Sequence, residues 1–356
     1  MYLKQLSSGT WRYIVQHRGQ KATGTALTRA LAQQAGAQAL LELGTRPVRA
    51  HVTVGDLLSV HLESQPLAAT TLADFQRIVD KLPEHVLRWA VREVEPVVVQ
   101  AWYRSLAGDG WSAHRVRKLH TLLSSAWGRA VTYEWATRNV LADVRKPQVD
   151  TPDVRPPTTD EIRRVIEATD GKVSLYLRVA AMTGMRRGEA CGLQWGDVAL
   201  DSGEVVVRRS TAQIAGRMGT VVSEGKTGRR GHRVVALDAA TIDGLRLLRR
   251  QQVEVAVAHG LPSPLWVWSH DAGVSPWRGD YISREFRRAC AKASVLGVRL
   301  HDLRHYMATA MLSAGVPVSV VAHRLGHSSP TVTYGVYAHY VRADDGAAAD
   351  ALGNVL

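Results

Sequence analysis

Between positions 301 and 337 the chain reads HDLRHYMATAMLSAGVPVSVVAHRLGHSSPTVTYGVY. His301 and Arg304 stand three apart, so on a helix both side chains leave the same face. His327 follows in the run Leu-Gly-His, and Tyr337 lies ten residues beyond it. An Arg, two imidazoles and a phenol are not what a helical core needs. They are what phosphoryl transfer to a tyrosine needs. A phosphodiester under attack gathers charge on its non-bridging oxygens. Guanidiniums can hold those oxygens bidentately and stay charged at any ordinary pH. A phenol, with an unperturbed pKa of about 10, is a usable nucleophile where nearby cations stabilise the phenolate. The leaving oxygen then needs a general acid, which a lysine on a hairpin can supply.

The rest of the composition supports a polyanionic partner. The chain has 356 residues, 46% of them hydrophobic, which is enough for real cores and for more than one domain. Its net charge is +13 and its pI about 10.1. Such basicity suits nucleic acid or an anionic membrane. No apolar run approaches the roughly 18 residues of a spanning helix, and the first residues lack the apolar core of a signal peptide. The nucleic-acid reading is therefore preferred. Cys191 and Cys290 are the only cysteines, far apart and outside any CxxC, which fits a reducing cytosol and excludes a cysteine zinc site.

Two other chemistries can be weighed and set aside. Gly225-Lys226-Thr227 looks like the end of a nucleotide-binding loop, but position 220 is Thr where that motif needs Gly. His301/His305 and His323/His327 have chelating i,i+4 spacing. Neither pair encloses the Glu of HExxH, and Arg304 and Arg324 would repel a dication. No metal and no cofactor is expected.

Elements to position such a site are legible. Residues 10–15 read as a strand, 19–21 as a turn and 28–43 as a helix stopping at Gly44. Residues 52 to about 146 read as a four-helix bundle. Its longest helix, about 112–133, buries Val116, Leu119, Leu122, Leu123, Ala126, Trp127 and Ala130. The other face carries Arg115, Arg117, Lys118, His120 and Arg129. That face is either a solvated surface or a set of phosphate contacts, and the total charge favours the second. Residues 145–157, with four prolines, form a linker. Beyond it Thr158 and Glu161 form a capping box. Helices at about 172–182, 241–259 and 281–294 follow, with short strands at 205–207 and 234–237 and a strand-like run at 265–268. Three more helices, at about 301–314, 317–326 and 330–339, carry the opening stretch. Along the first of them Leu303, Met307, Ala310 and Met311 should pack inward. His305, His323 and His339 read as structural, and Trp266 and Trp268 as core.

At these residues the chain resembles the tyrosine recombinases of the phage-integrase family. Thr183-Gly184-Met185-Arg186-Arg187-Gly188-Glu189 resembles the first arginine box, with Arg186 in the catalytic place and Glu189 as its supporting acid. Gly225-Lys226-Thr227, followed by Arg229, Arg230 and Arg233, resembles the hairpin bearing the catalytic Lys, although Gly225 stands where Pro is commoner. His301-Asp302-Leu303-Arg304-His305 resembles the second box, and Leu325-Gly326-His327 the third. Tyr337 matches the nucleophile, while Tyr334 and Tyr340 are neighbours outside the pattern.

The resemblance implies a multidomain, mainly α fold with small β-sheets. Its parts would be an α+β arm-type DNA-binding module over 1–50 and a helical, SAM-like core-binding domain over 51–148. A mixed α/β, mostly helical catalytic domain over 155–345 and a tail over 346–356 would follow. It implies cleavage and rejoining of double-stranded DNA at attachment-type sites through a 3′-phosphotyrosyl link, by a homo-tetramer in the bacterial cytoplasm. It leaves room for an accessory DNA-bending or directionality protein, and for a tail that packs on a neighbouring subunit. A phage or prophage integrase is the reading preferred. A chromosome-dimer-resolving recombinase, a type IB topoisomerase and a non-enzymatic DNA-binding regulator are the alternatives.

Overall fold

The computed structural model describes residues 2–17, 20–45, 52–149, 155–213, 220–223 and 232–340. The chain divides into two compact units, Met1–Pro152 and Asp153–Leu356. The division falls inside the proline-bearing segment 145–157 read as a linker.

The first unit begins with an antiparallel sheet in the order β1 (Tyr2–Gln5), β2 (Trp11–His17), β3 (Gln20–Ala26). Sequence reading found only β2, because the flanking strands carry Lys, Gln and Thr without apolar alternation. Gln20, read as part of a turn, instead opens β3 opposite His17. Helix α1 (Arg29–Thr45) runs past Gly44, and Thr28 Oγ1 accepts the Leu31 N–H at its start.

A helical bundle follows: α2 (Val54–Ser64), α3 (Ala69–Val79), the single turn α4 (Glu84–Leu87), α5 (Pro96–Gly108) and α6 (Ala113–Thr132). Thr53 and Asp56 exchange hydrogen bonds as a capping box on α2, and Ser112 caps α6. All seven apolar positions read on α6 are buried. Its polar face is narrower than read. His120 is buried against Tyr103, and desolvation, with Lys146 adding to it, lowers its pKa. A 3.6-residue period places His120 at the edge of the stripe, where a ring is drawn inward. Arg117 and Lys118 remain exposed, while the Arg115 guanidinium lies 3.8 Å from the centre of the Trp111 ring.

The second unit opens with α7 (Thr159–Glu167). Its capping box is formed, with Glu161 N–H on Thr158 Oγ1 at 3.2 Å and Thr158 N–H on Glu161 Oε2 at 2.7 Å. Then come α8 (Gly171–Thr183) and α9 (Arg187–Cys191). The strands are β4 (Val198–Ala199), β5 (Glu204–Val207), β6 (Ser210–Ala212), β7 (Val221–Ser223) and β8 (Arg233–Ala236). They make an antiparallel β4-β5-β8 sheet, with Val205 opposite Val235, and a separate β6-β7 pair. Helices α10 (Ala239–Ala258), α11 (Gly279–Lys292), α12 (Asp302–Ser313), α13 (Val318–Leu325) and α14 (Pro330–Tyr337) complete it.

Residues 265–268 form no strand. Leu265 and Trp266 N–H groups turn back to the Gly273 carbonyl, and a single bridge joins Trp266 to Gln194. Pro264 just before them limits any longer ladder. Trp266 and Trp268 are buried, as read, and Trp268 lies between Tyr176 and Trp277 in the main core. A smaller core joins α12, α13 and α14 through Met307, Ala308, Leu312, Val321, Leu325 and Tyr337. Ala310, read as inward-facing, is exposed. Apolar character does not decide so small a side chain's side.

Candidate active site

The site is built where the C-terminal ends of α8 and α13 meet the N-terminal part of α12. Both ends turn on a left-handed glycine, Gly184 at φ 63° and Gly326 at φ 65°. At α13 the Gly326 N–H returns to the His323 carbonyl and the His327 N–H to the Ala322 carbonyl, which sets His327 just past the helix. A side chain at either glycine would meet a site neighbour. A Cβ on Gly326 would lie 2.8 Å from the Arg233 guanidinium, and one on Gly184 2.2 Å from Met307 Cε.

Arg304 fills the space between these ends. It is 4% exposed, donating from Nη1 to the Gly184 carbonyl at 2.7 Å and from Nη2 to the Leu325 carbonyl at 2.5 Å. Terminal carbonyls carry the negative end of a helix dipole, so they suit a buried cation. Burial still tells. It pushes the Arg304 pKa down to about 10, with Arg186 and Arg233 adding and Glu189 opposing. The group stays charged near neutrality.

Glu189 ties two further arginines together. Its Oε1 accepts from Arg186 Nη1 at 2.8 Å, and its Oε2 accepts from the Arg186 N–H at 2.9 Å and from Arg233 Nη2 at 2.7 Å. Burial alone would raise the Glu189 carboxyl. The Arg233 and Arg186 bonds outweigh it and hold the pKa below the ordinary range. Arg233 is itself buried and donates from Nε to the Arg324 carbonyl at 2.7 Å. Three guanidiniums thus face one carboxylate. Arg233 and Arg304 lie out of water while the Arg186 side chain is about half exposed, so a surplus of positive charge is presented at an accessible edge, which suits an anion site.

His327 Nδ1 sits 2.7 Å from Thr333 Oγ1. Burial and then Arg304, Arg186 and Arg233 lower its pKa to about 4. Desolvation, then His305, Arg304 and Arg186, lower that of His301. Both rings are therefore neutral near pH 7 and can donate one N–H each.

Tyr337 closes the arrangement from α14. It is 4% exposed, and burial pushes its pKa up to about 12 against the pull of Arg304. Its hydroxyl lies 2.7 Å from His305 Nδ1. Tyr334 is exposed.

The structure thus brings together Arg186, Glu189, His301, Arg304, His327 and Tyr337. Lys226, Arg229 and Arg230 lie outside the described residues. Arg115, Arg117 and Lys118 belong to the first unit. Sequence reading took His305 as structural and placed Arg233 only with the hairpin box, without the contacts that Arg233 and Arg324 make here. Arg324 donates from Nη2 to the carbonyls of Met182, at 2.8 Å, and Ala236, at 3.1 Å. Nothing local marks these residues, because their partners are distant in sequence. His305 alone had a signal: it is one helical turn from His301 and shares its face.

Solved structures share this fold. A Tn1549 transposon integrase in complex with a circular intermediate DNA superposes with a TM-score of 0.70 over 84% of this chain and 98% of its own, at 19% identity. A lambda integrase from a tetramer bound to a Holliday junction gives 0.61 over 96% of each chain, at 20% identity. The phage integrase family matches residues 158–343, and the chain belongs to that family. It is a site-specific tyrosine recombinase, an enzyme that cuts and rejoins DNA. Among its relatives, a XerC-like tyrosine recombinase of Caldanaerobacter subterraneus is 22% identical over 82% of this chain and 80% of its own. The ICEBs1 integrase of Bacillus subtilis is 25% identical over 84% and 81%. No described helix is long and apolar enough to cross a membrane.

Proposed function

We propose that Tyr337 is the nucleophile of an integrase and attacks a DNA phosphate held by Arg304 and Arg186. The observation that carries this is the buried Tyr337 phenol within the electrostatic reach of Arg304, in a site with more guanidinium than carboxylate. Attack forms a 3′-phosphotyrosyl link and frees a 5′ hydroxyl, and a 5′ hydroxyl from a partner duplex reverses the step. Phosphate bond energy is kept, so the reaction needs no nucleotide. His301 and His327 donate to the phosphate oxygens, Glu189 fixes Arg186, and Lys226 protonates the leaving oxygen.

We also assign residues 1–50 to arm-site binding, 51–148 to core-site binding and 155–345 to catalysis. The sheet that precedes the helical bundle supports an integrase over a chromosomal resolving enzyme. Arg115, Arg117 and Lys118 contact phosphates, as do Arg229 and Arg230. The active form is a tetramer on two duplexes, open to an accessory bending or directionality protein. Trapping on a nicked suicide duplex tests the chemistry. The native chain should form a covalent adduct and Tyr337→Phe none. An undiminished adduct with Tyr337→Phe would overturn the assignment.

A further inference from the structure

We propose that His305 is the general base for Tyr337, taking the phenolic proton on Nδ1 as the oxygen attacks phosphorus. The inference rests on Tyr337 being the nucleophile and adds where its proton goes.

Geometry carries it. The hydroxyl and Nδ1 are 2.7 Å apart, within hydrogen-bond distance, with the phenol taken as donor and the imidazole as acceptor. That contact requires the tautomer with its proton on Nε2. The two rings are 5.7 Å apart between centres and tilted by 56°. Each is held by its own helix: Tyr337 by the small core of α12, α13 and α14, His305 by its place on α12 between buried Arg304 and Met307. His301, the other imidazole on that face, has its ring centre 5.3 Å from that of His305. The two histidines can therefore divide the labour, His301 toward the phosphate and His305 toward the phenol.

The charges facing His305 are Asp302, which favours its protonation, and Arg304 and Arg299, which oppose it. Burial opposes it most, so the ring is a free base near neutrality. A buried phenol does not give its proton to a neutral imidazole at rest. As the O–P bond forms, the aryl oxygen loses its basicity, and transfer becomes favourable within the same step. The balance closes inside the site. One O–P bond forms and the P–O5′ bond breaks. The phenolic proton moves to Nδ1, and the leaving oxygen takes its proton from the separate acid. In rejoining, the imidazolium returns the proton to the departing phenolate. No oxidant, metal or cosubstrate enters.

The test is single-turnover cleavage of a nicked suicide duplex carrying either the natural 5′ oxygen or a 5′ sulfur at the scissile link. Sulfur leaves without an acid, so it isolates the nucleophile's half of the reaction. His305→Ala should slow cleavage about 10²–10⁴-fold on both duplexes, the usual worth of a positioned base. Lys226→Ala should be rescued by sulfur. His305→Asn can still accept the phenol's hydrogen bond but cannot carry a proton, and should stay within about threefold of His305→Ala. Recovery by Asn to near-native rates would reduce His305 to a holder of the ring and overturn the inference. So would unchanged cleavage by both variants, or rescue of His305→Ala by sulfur. Gel-shift binding of the same duplex reports that each variant is folded. Failure here with an absent Tyr337→Phe adduct removes only the base. A persistent Tyr337→Phe adduct removes the nucleophile assignment itself.

Discussion

Two regions of this molecule are rich in cations, and they are built in opposite ways. On the bundle, Arg77, Lys81, Arg115, Arg117 and Lys118 line a groove between α3 and α6. Their charges stand in water, and Asp74 pairs with both Arg77 and Lys118 there. In the second unit, Arg233 and Arg304 are 4% exposed, and their partners are Glu189 and the carbonyls of helix ends. Exposed pairs are worth little and are screened by salt. A buried guanidinium fixed by two carbonyls is oriented before any ligand arrives, and preorganised charge is what lowers a barrier. The first region suits affinity and the second chemistry.

Changing the same residue type in both regions should separate them most. Arg304→Lys keeps a charge but loses the fork that spans the Gly184 and Leu325 carbonyls. Its single-turnover cleavage should fall about 10²–10³-fold, while Arg117→Lys should change it less than about twofold. Equal losses would remove the distinction. Next comes Arg233→Ala, which leaves Glu189 with Arg186 as its one guanidinium partner and the Arg324 carbonyl without its donor. Breaking a buried pair costs about 3–5 kcal/mol, to be read as a lower urea midpoint, whereas Arg77→Ala should cost under about 1 kcal/mol. Gly326→Ala should cost about 1–2 kcal/mol for the left-handed backbone alone, and cleavage should fall because the Arg233 guanidinium must move.

Acid stability reads the second region through groups whose pKa values folding lowers, among them Glu189 and His327. Glu189 titrates lower folded than unfolded, so its stabilisation is full above its ordinary pKa, about 4.3, and is lost as pH falls through the folded value. His327 is also lowered, to about 4. The unfolded chain therefore takes that proton first, and stability declines from about pH 6.5 to about 4. His327→Gln should lessen the decline of denaturation midpoints over that interval, to which His301 and His305 also contribute, and Glu189→Gln should lessen the more acid one. The smallest effect belongs to the groove. Arg117→Ala with Lys118→Ala should weaken DNA binding alike on all sequences and reduce the salt slope by about 2. A sequence-dependent loss would mean that they read bases.

The family and its boxes were legible because short-range spacing encodes them. Three residues set His301 against Arg304, three set Thr158 against Glu161, and a glycine stops α8 and α13. The bundle was legible for the same reason, as the period of α6 shows. Strands β1 and β3 were not, because they bury too little for alternation to appear.

Long-range partners were invisible. Glu189 meets Arg233 across 44 positions and Arg304 meets Gly184 across 120. Tyr337 meets His305 across 32, and no local pattern names that neighbour. Residue types and spacing by themselves determined which chemistry this protein carries. Only the packing of α8, α12, α13 and α14 decided which cations are buried, which carboxylate holds them and which imidazole receives the phenol. Burial and partner choice are properties of surfaces that close on each other, and a one-dimensional pattern does not contain them.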